Sequence, residues 1–159
     1  MNTLIVYATK HGCSETCAKM LSKDLTGNIE LFNLKDAKIP VLTKYDRVII
    51  GGSIHMGKIQ KEVQFFCIQN MEMLMNKKIG LFVCGMLFEK AHEELNNSFP
   101  NELLTQAIAK EFFGGQYRFD KMNYFDRLIV KKVAKVNNDF SQIKDENIKQ
   151  FADLMNSDC

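Results

Sequence analysis

No stretch of this 159-residue chain stays apolar long enough to cross a bilayer, and it does not open with a basic-then-apolar export signal. Both absences point to the cytoplasm. The five cysteines (Cys13, Cys17, Cys67, Cys84, Cys159) and three histidines (His11, His55, His92) show no Cys-x-x-Cys or His-x-x-x-His spacing. No metal site is therefore expected, and the odd cysteine count fits a reducing compartment. The Gly-x-Gly-x-x-Gly spacing of dinucleotide folds is missing, as is the Gly-Lys-Ser/Thr ending of a P-loop. A strong charge of either sign is missing too, and a net charge of +2 argues against a nucleic-acid partner. Without linkers, repeats or low-complexity tracts, residues 1–159 read as one domain.

What is present is an ordinary globular composition, 46% hydrophobic and 25% charged. Apolar runs at Leu4–Ala8, Val48–Ile50 and Ile79–Cys84 read as strands buried on both faces, and Ile29–Leu34 as another. Helical spacing marks Gly12–Leu25 and Gln60–Met75, then 89–109 with a break at Phe99-Pro100, then 121–136 and 145–155. Phe112–Tyr117 reads as the fifth strand, and Gly51-Gly52-Ser53 as the stop of the third. Alternating strands and helices predict an α/β fold in three layers. Its core would be a doubly wound, five-stranded parallel sheet of order 2-1-3-4-5.

In such a sheet ligands gather at the carboxyl ends of the strands, around the point where strand order reverses. Three loops reach that edge. Thr9-Lys10-His11-Gly12-Cys13-Ser14 leads from a strand into a helix, and free N–H groups with a positive dipole end suit a phosphate there. Ser53-Ile54-His55-Met56-Gly57 and Cys84-Gly85-Met86-Leu87 offer glycine-hinged backbone and mostly apolar side chains. Together these loops suit a flat, largely apolar ring with polar edges and one phosphate.

On these residues the chain resembles the flavodoxin superfamily over nearly its whole length. The family's hydroxyl- and glycine-bearing phosphate loop corresponds to Thr9–Ser14, with His11 in place of a hydroxyl. The run Tyr45-Asp46-Arg47-Val48-Ile49-Ile50-Gly51-Gly52-Ser53-Ile54-His55-Met56-Gly57 is similar to that of the menaquinone-linked protoporphyrinogen dehydrogenase subgroup. So is the aromatic, basic stretch Tyr124–Lys131. The resemblance implies FMN as cofactor, held by the three loops, with Gly57 at the peptide that faces the flavin N5.

It further implies an oxidoreductase that takes electrons from a protoporphyrinogen-like tetrapyrrole and passes them to a quinone or another carrier. The alternative is a flavodoxin-type electron carrier that docks redox partners and has no small substrate of its own. Carrier flavodoxins are markedly acidic, and this chain is not. Between Lys110 and Lys135 seven basic residues face three acidic ones. Arg118, Lys121, Arg127 and Lys131 are therefore the candidates for meeting substrate carboxylates or an anionic membrane. Met122, Phe125, Ile129, Val133 and Val136 form an apolar stripe, with Lys132 and Lys135 largely off it. Residues 121–136 thus read as a helix that either packs this stripe on the sheet with its lysines in solvent or rests it on the inner face of a membrane.

Overall fold

The computed structural model describes residues 1–36, 38–133 and 139–157. Strands β1 (Asn2–Tyr7), β2 (Asn28–Asn33), β3 (Arg47–Ser53), β4 (Lys78–Cys84) and β5 (Ala109–Phe112) form a parallel sheet of order β2-β1-β3-β4-β5. The expected strand order is thus the observed one. Its cause is visible in the strands, which are apolar on both faces. Leu4, Val6, Val48, Ile50, Leu81 and Val83 pack into one layer, while Ile5, Ile49 and Phe82 pack into the other. Helices α1 (Cys13–Asp24) and α7 (Asp145–Asn156) cover the second face. Helices α2 (Lys61–Gln69), α3 (Met71–Leu74), α4 (Ala91–Ser98) and α5 (Asn101–Gln106) cover the first. Each fully buried Leu, Ile or Phe contributes about 1.5–3 kcal/mol to holding these layers together.

Four local readings of the sequence need correction. The helix expected over Gln60–Met75 breaks at Asn70, whose backbone leaves the helical region (φ −113°, ψ 13°). The Asn70 side-chain amide donates to the Phe66 carbonyl (2.9 Å), competing with the helical ladder. Gly51 and Gly52 do not stop β3; they lie inside it, opposite Phe82 and Val83. A Cβ on Gly51 would come within 2.1 Å of the Phe82 ring, which explains the missing side chain.

The fifth strand is shifted. It begins at Ala109 and ends at Phe112; Phe113 still donates to the Val83 carbonyl (2.9 Å), and Gly114 then takes a left-handed turn (φ +78°) into the next strand. The residues beyond form β6 (Gly114–Tyr117), which pairs antiparallel with β7 (Phe140–Ile143). Finally, the last stretch expected as helix from residue 121 contains α6 (Tyr124–Val133) after a short turn at Phe119–Lys121. The side chain of Val133 and all of Lys135, Val136 and Cys159 lie outside the described residues. Among the described residues no helix is long and apolar enough to cross a membrane.

Candidate functional site

β1 delivers the chain to a loop at Thr9 that turns through Gly12 into α1. Gly12 sits at φ +91°, and no heavy atom lies within 4 Å of where its Cβ would be. Its amide donates to Thr9 Oγ1 (2.8 Å), which closes the loop. No side chain caps α1, so its leading N–H groups and positive dipole end are left to the loop. Ser14 is fully buried and its hydroxyl has no partner. A buried, unpaired hydroxyl at an uncapped helix end fits an anion.

A cavity of about 300 Å³ opens beside this loop. Of the residues singled out from the sequence it collects Lys10, His11, Cys13, all of Ser53–Gly57 and all of Cys84–Leu87. Thr9, Gly12 and Ser14 do not line it; they form the loop at its end. The second and third loops are tied by the Ile54 amide, which donates to the Cys84 carbonyl (2.7 Å). His55 and Lys58 exchange two backbone hydrogen bonds (2.8 and 3.1 Å) around Met56 (φ 51°) and Gly57 (φ +78°). Both central residues are left-handed, the pattern of a type I′ turn. Glycine suits it. Methionine does not, and Met56 is the one non-glycine at positive φ among the described residues.

Several wall residues carry no signal in the sequence. Asp126, on α6, is buried and stands 3.2 Å from Lys10 Nζ and 3.3 Å from His11 Nε2. Lys10 Nζ also donates to His55 Nε2 (2.9 Å), so that imidazole accepts and is neutral. Burial, and next the Lys10 ammonium, hold His55 below its ordinary pKa. One ionic cluster thus fastens the first loop, the second loop and α6 across the cavity mouth. Glu94, on α4, is buried at the wall with Oε2 unpartnered, and burial raises its pKa. Tyr117, Met122 and Val130 complete the far side.

The expected stripe on α6 is not its buried face. Met122 and Asp126 turn inward and the half-exposed Ile129 borders the cavity, whereas Phe125 is 73% exposed and forms an outer face with Tyr124 and Leu128. The pairing of Asp126 with Lys10 and His11 sets this rotation. The four basic candidates do not line the cavity. Arg118 Nη2 pairs with Asp120 (3.1 Å), and Arg127 Nε donates to the Phe119 carbonyl (2.6 Å). Lys131 Nζ stands 6.0 Å from the Phe119 ring centre, and the Lys121 carbonyl accepts from His11 Nδ1 (3.2 Å). They gather on the Arg118–Lys121 turn beside the mouth.

Three thiols also meet at this edge. The Sγ atoms of Cys13, Cys17 and Cys84 lie within 4.8 Å of one another. Hydrogen bonds from Cys17 and then Cys84 pull Cys13 well below the usual thiol range, while sharing with Cys13 pushes the other two up. Spacing along the chain gave no hint of Cys84 joining the pair on α1.

The family model for the flavodoxin domain matches residues 4–144. The Escherichia coli K12 protein named protoporphyrinogen IX dehydrogenase [quinone] is 23% identical over 146 residues, covering 86% of this chain and 81% of that one. Among solved structures, a short-chain flavodoxin associated with a bacterial microcompartment superposes with a TM-score of 0.62 at 16% identity, covering 97% of this chain and 95% of that one. The Fusobacterium nucleatum flavodoxin bound to flavin mononucleotide gives a TM-score of 0.56 at 10% identity, covering 97% of this chain and 96% of that one. The chain spans about a third (34%) of the Synechocystis Flv1 flavodiiron core chain, with 97% of itself covered, a TM-score of 0.56 and 13% identity. With the family model covering most of its length and the sheet order in agreement, the chain belongs to the flavodoxin domain family.

Proposed function

We propose that this protein binds FMN and works as an oxidoreductase of the protoporphyrinogen dehydrogenase kind. The observation that carries the cofactor is the pairing of an uncapped helix end and orphaned Ser14 hydroxyl with the adjoining 300 Å³ cavity. One anion site fits one phosphate, which favours a mononucleotide over FAD. Thr9, Gly12, Ser14 and the leading amides of α1 would hold that phosphate. Ile54, Met56, Met86 and Leu87 supply apolar wall for a flat ring, and the Met56–Gly57 peptide sits where the ring edge would meet backbone. The flavin, when bound, supplies the two-electron chemistry. The chain's own part is to orient the ring, exclude water and govern access.

The α6 segment favours an enzyme over a carrier. Fastened by Asp126 to Lys10 and His11, it covers part of the cavity mouth with Met122, Ile129 and Val130. Its outer face shows Tyr124, Phe125 and Leu128 beside Arg127, Lys131 and Lys132. An apolar face flanked by cations suits a tetrapyrrole with carboxylate arms or an anionic bilayer that stores quinone. The carrier reading rests on the fold alone, which many non-enzymatic flavodoxins share.

Heat release of the cofactor and chromatography against standards test the first half; bound FAD, or no flavin bands at all, would sink it. Anaerobic oxidation of protoporphyrinogen with a quinone analogue tests the second. Turnover supports the enzyme. Rapid reduction by a flavodoxin reductase without porphyrin turnover would establish the carrier instead.

A further inference from the structure

The sheet edge brings together three sulfurs that sequence spacing keeps apart. Cys13 is the first residue of α1, Cys17 lies one turn on, and Cys84 ends β4. Their Sγ atoms are mutually within 4.8 Å. Cys17 and Cys84 are fully buried, and Cys13 nearly so. Cys13 and Cys84 border the cavity, which gives the trio a route to small solutes. Cys67, by contrast, is buried on the other face of the sheet, away from any second thiol of the cluster.

Such a triangle suits either a disulfide or a thiophilic cation. A bridge within α1 is disfavoured by helix geometry. Residues four apart hold their Cβ atoms about 5–6 Å from each other, and a disulfide needs about 3.5–4.5 Å. A bridge from Cys84 to either partner leaves the third thiol without a role. A cation uses all three. At a metal–sulfur distance of about 2.3 Å, three ligands in a plane stand about 4.0 Å apart, so a contraction below about 1 Å closes the site.

Among the described residues no fourth cysteine, histidine or carboxylate joins the cluster. Structural zinc takes four protein ligands, whereas soft thiolates select Cu(I). The positive end of the α1 dipole opposes the negative charge that three thiolates bring into a buried site. We propose that Cys13, Cys17 and Cys84 form a trigonal thiolate site for Cu(I), entered from the cavity. On binding, the sulfurs still protonated release their protons to solvent and the copper remains Cu(I), so no oxidant or reductant is consumed.

The test is anaerobic titration of the full chain, freed of any flavin, with Cu(I) in competition with a chromophoric chelator. Its outcome does not depend on the flavin reading. A Cys67→Ala/Cys159→Ala background removes the other two thiols. We expect one equivalent of copper withheld from the chelator, and X-ray absorption showing three sulfur ligands at one distance. Cys84→Ser is expected to weaken binding by roughly 100-fold. Should the serine variant misfold by circular dichroism, the ligand count in the parent background still decides. Two-sulfur coordination, undiminished affinity in a folded Cys84→Ser variant, or complete loss of copper to the chelator would each overturn the proposal.

Discussion

The two edges of the same sheet are built on opposite rules. At the amino edge the polar groups are closed off. Arg47, buried at the start of β3, donates to Thr3 Oγ1 (2.7 Å), the Met155 carbonyl (2.7 Å) and the Thr26 carbonyl, which pins α7 and the α1–β2 turn to the sheet. Beside it the Asn2 amide donates to the Asp46 carboxylate (2.7 Å) and the Tyr45 hydroxyl to Glu30 (2.6 Å). At the carboxyl edge the ledger is left open. Ser14 and Glu94 keep buried oxygens unpartnered, α1 has no cap, and Met56 is held at positive φ. Buried polar groups are ordinarily satisfied, and strained backbone concentrates at functional sites. The difference separates what holds the fold from the edge at which a ligand is proposed to bind.

The largest expected effect breaks the closed edge. Arg47→Met removes the donor, leaves the Met155 carbonyl buried without it and frees the part-buried Thr26 carbonyl, at a cost of about 3–5 kcal/mol. Thermal unfolding should fall by roughly 10 °C or more, while any flavin bound at the far edge keeps its affinity. A variant that melts like the parent would show that the amino edge is not where stability resides. Next comes the open edge. Gly12→Val places a β-branched side chain at φ +91° and fills the space beside the loop. Fluorescence titration should show FMN affinity reduced by roughly 100-fold or more, with only about 1–3 kcal/mol lost from the fold. Unchanged affinity would move the phosphate elsewhere.

Glu94→Gln sharpens the contrast because it should stabilise. Burial raises the Glu94 pKa in the folded state, so the fold favours the protonated acid. The group's contribution is therefore fully present below the ordinary carboxylate range. It is lost as pH rises through the raised folded value. A neutral amide escapes that loss, and unfolding at neutral pH should be about 1 kcal/mol harder in the variant. Repeating the measurement near pH 4 should erase most of the gain. A variant less stable than the parent at pH 7 would mean that the carboxylate has a partner in solution.

How legible these two edges were in the sequence follows from the range of the signals. Continuous apolar runs at Leu4–Ala8 and Ile79–Cys84 announce a two-sided sheet, and the loops behind them mark the edge at which the cavity opens. One motif, Tyr45 to Gly57, even runs from edge to edge: its Tyr-Asp-Arg end is structural and its Ser-Ile-His-Met-Gly end lines the cavity. What stayed hidden depends on long-range closure. Glu94 reads as a surface acid on a short amphipathic helix until the helix is placed against Gly85 and Phe112. Asp126 looks like a stray acid in a basic run until Lys10 and His11 arrive from 115 or more residues away. The same distant pairing turned α6 so that Phe125 faces outward. The partner of the Gly114–Tyr117 segment was hidden too, since β7 pairs with it from residues 140–143.

The smallest effect tests whether the strain at the open edge is stored or incidental. Met56 occupies a turn position that glycine adopts without cost, and its side chain is 84% exposed, so packing does not hold it there. Met56→Gly relieves the left-handed penalty but adds freedom to the unfolded chain, and the two effects partly offset. A net gain of about 0.5–1 kcal/mol in chemical denaturation is expected. If the methionine serves only as a turn residue, flavin affinity should be unchanged or slightly improved. If it instead forms one wall of the ring site, affinity should fall by roughly threefold to tenfold while stability still rises, because an exposed thioether gains contact only when a flat ring lies against it. A loss of both stability and affinity would show that the turn prefers its side chain. The strain would then have to be assigned to Gly57 and the His55–Lys58 pairing rather than to residue 56.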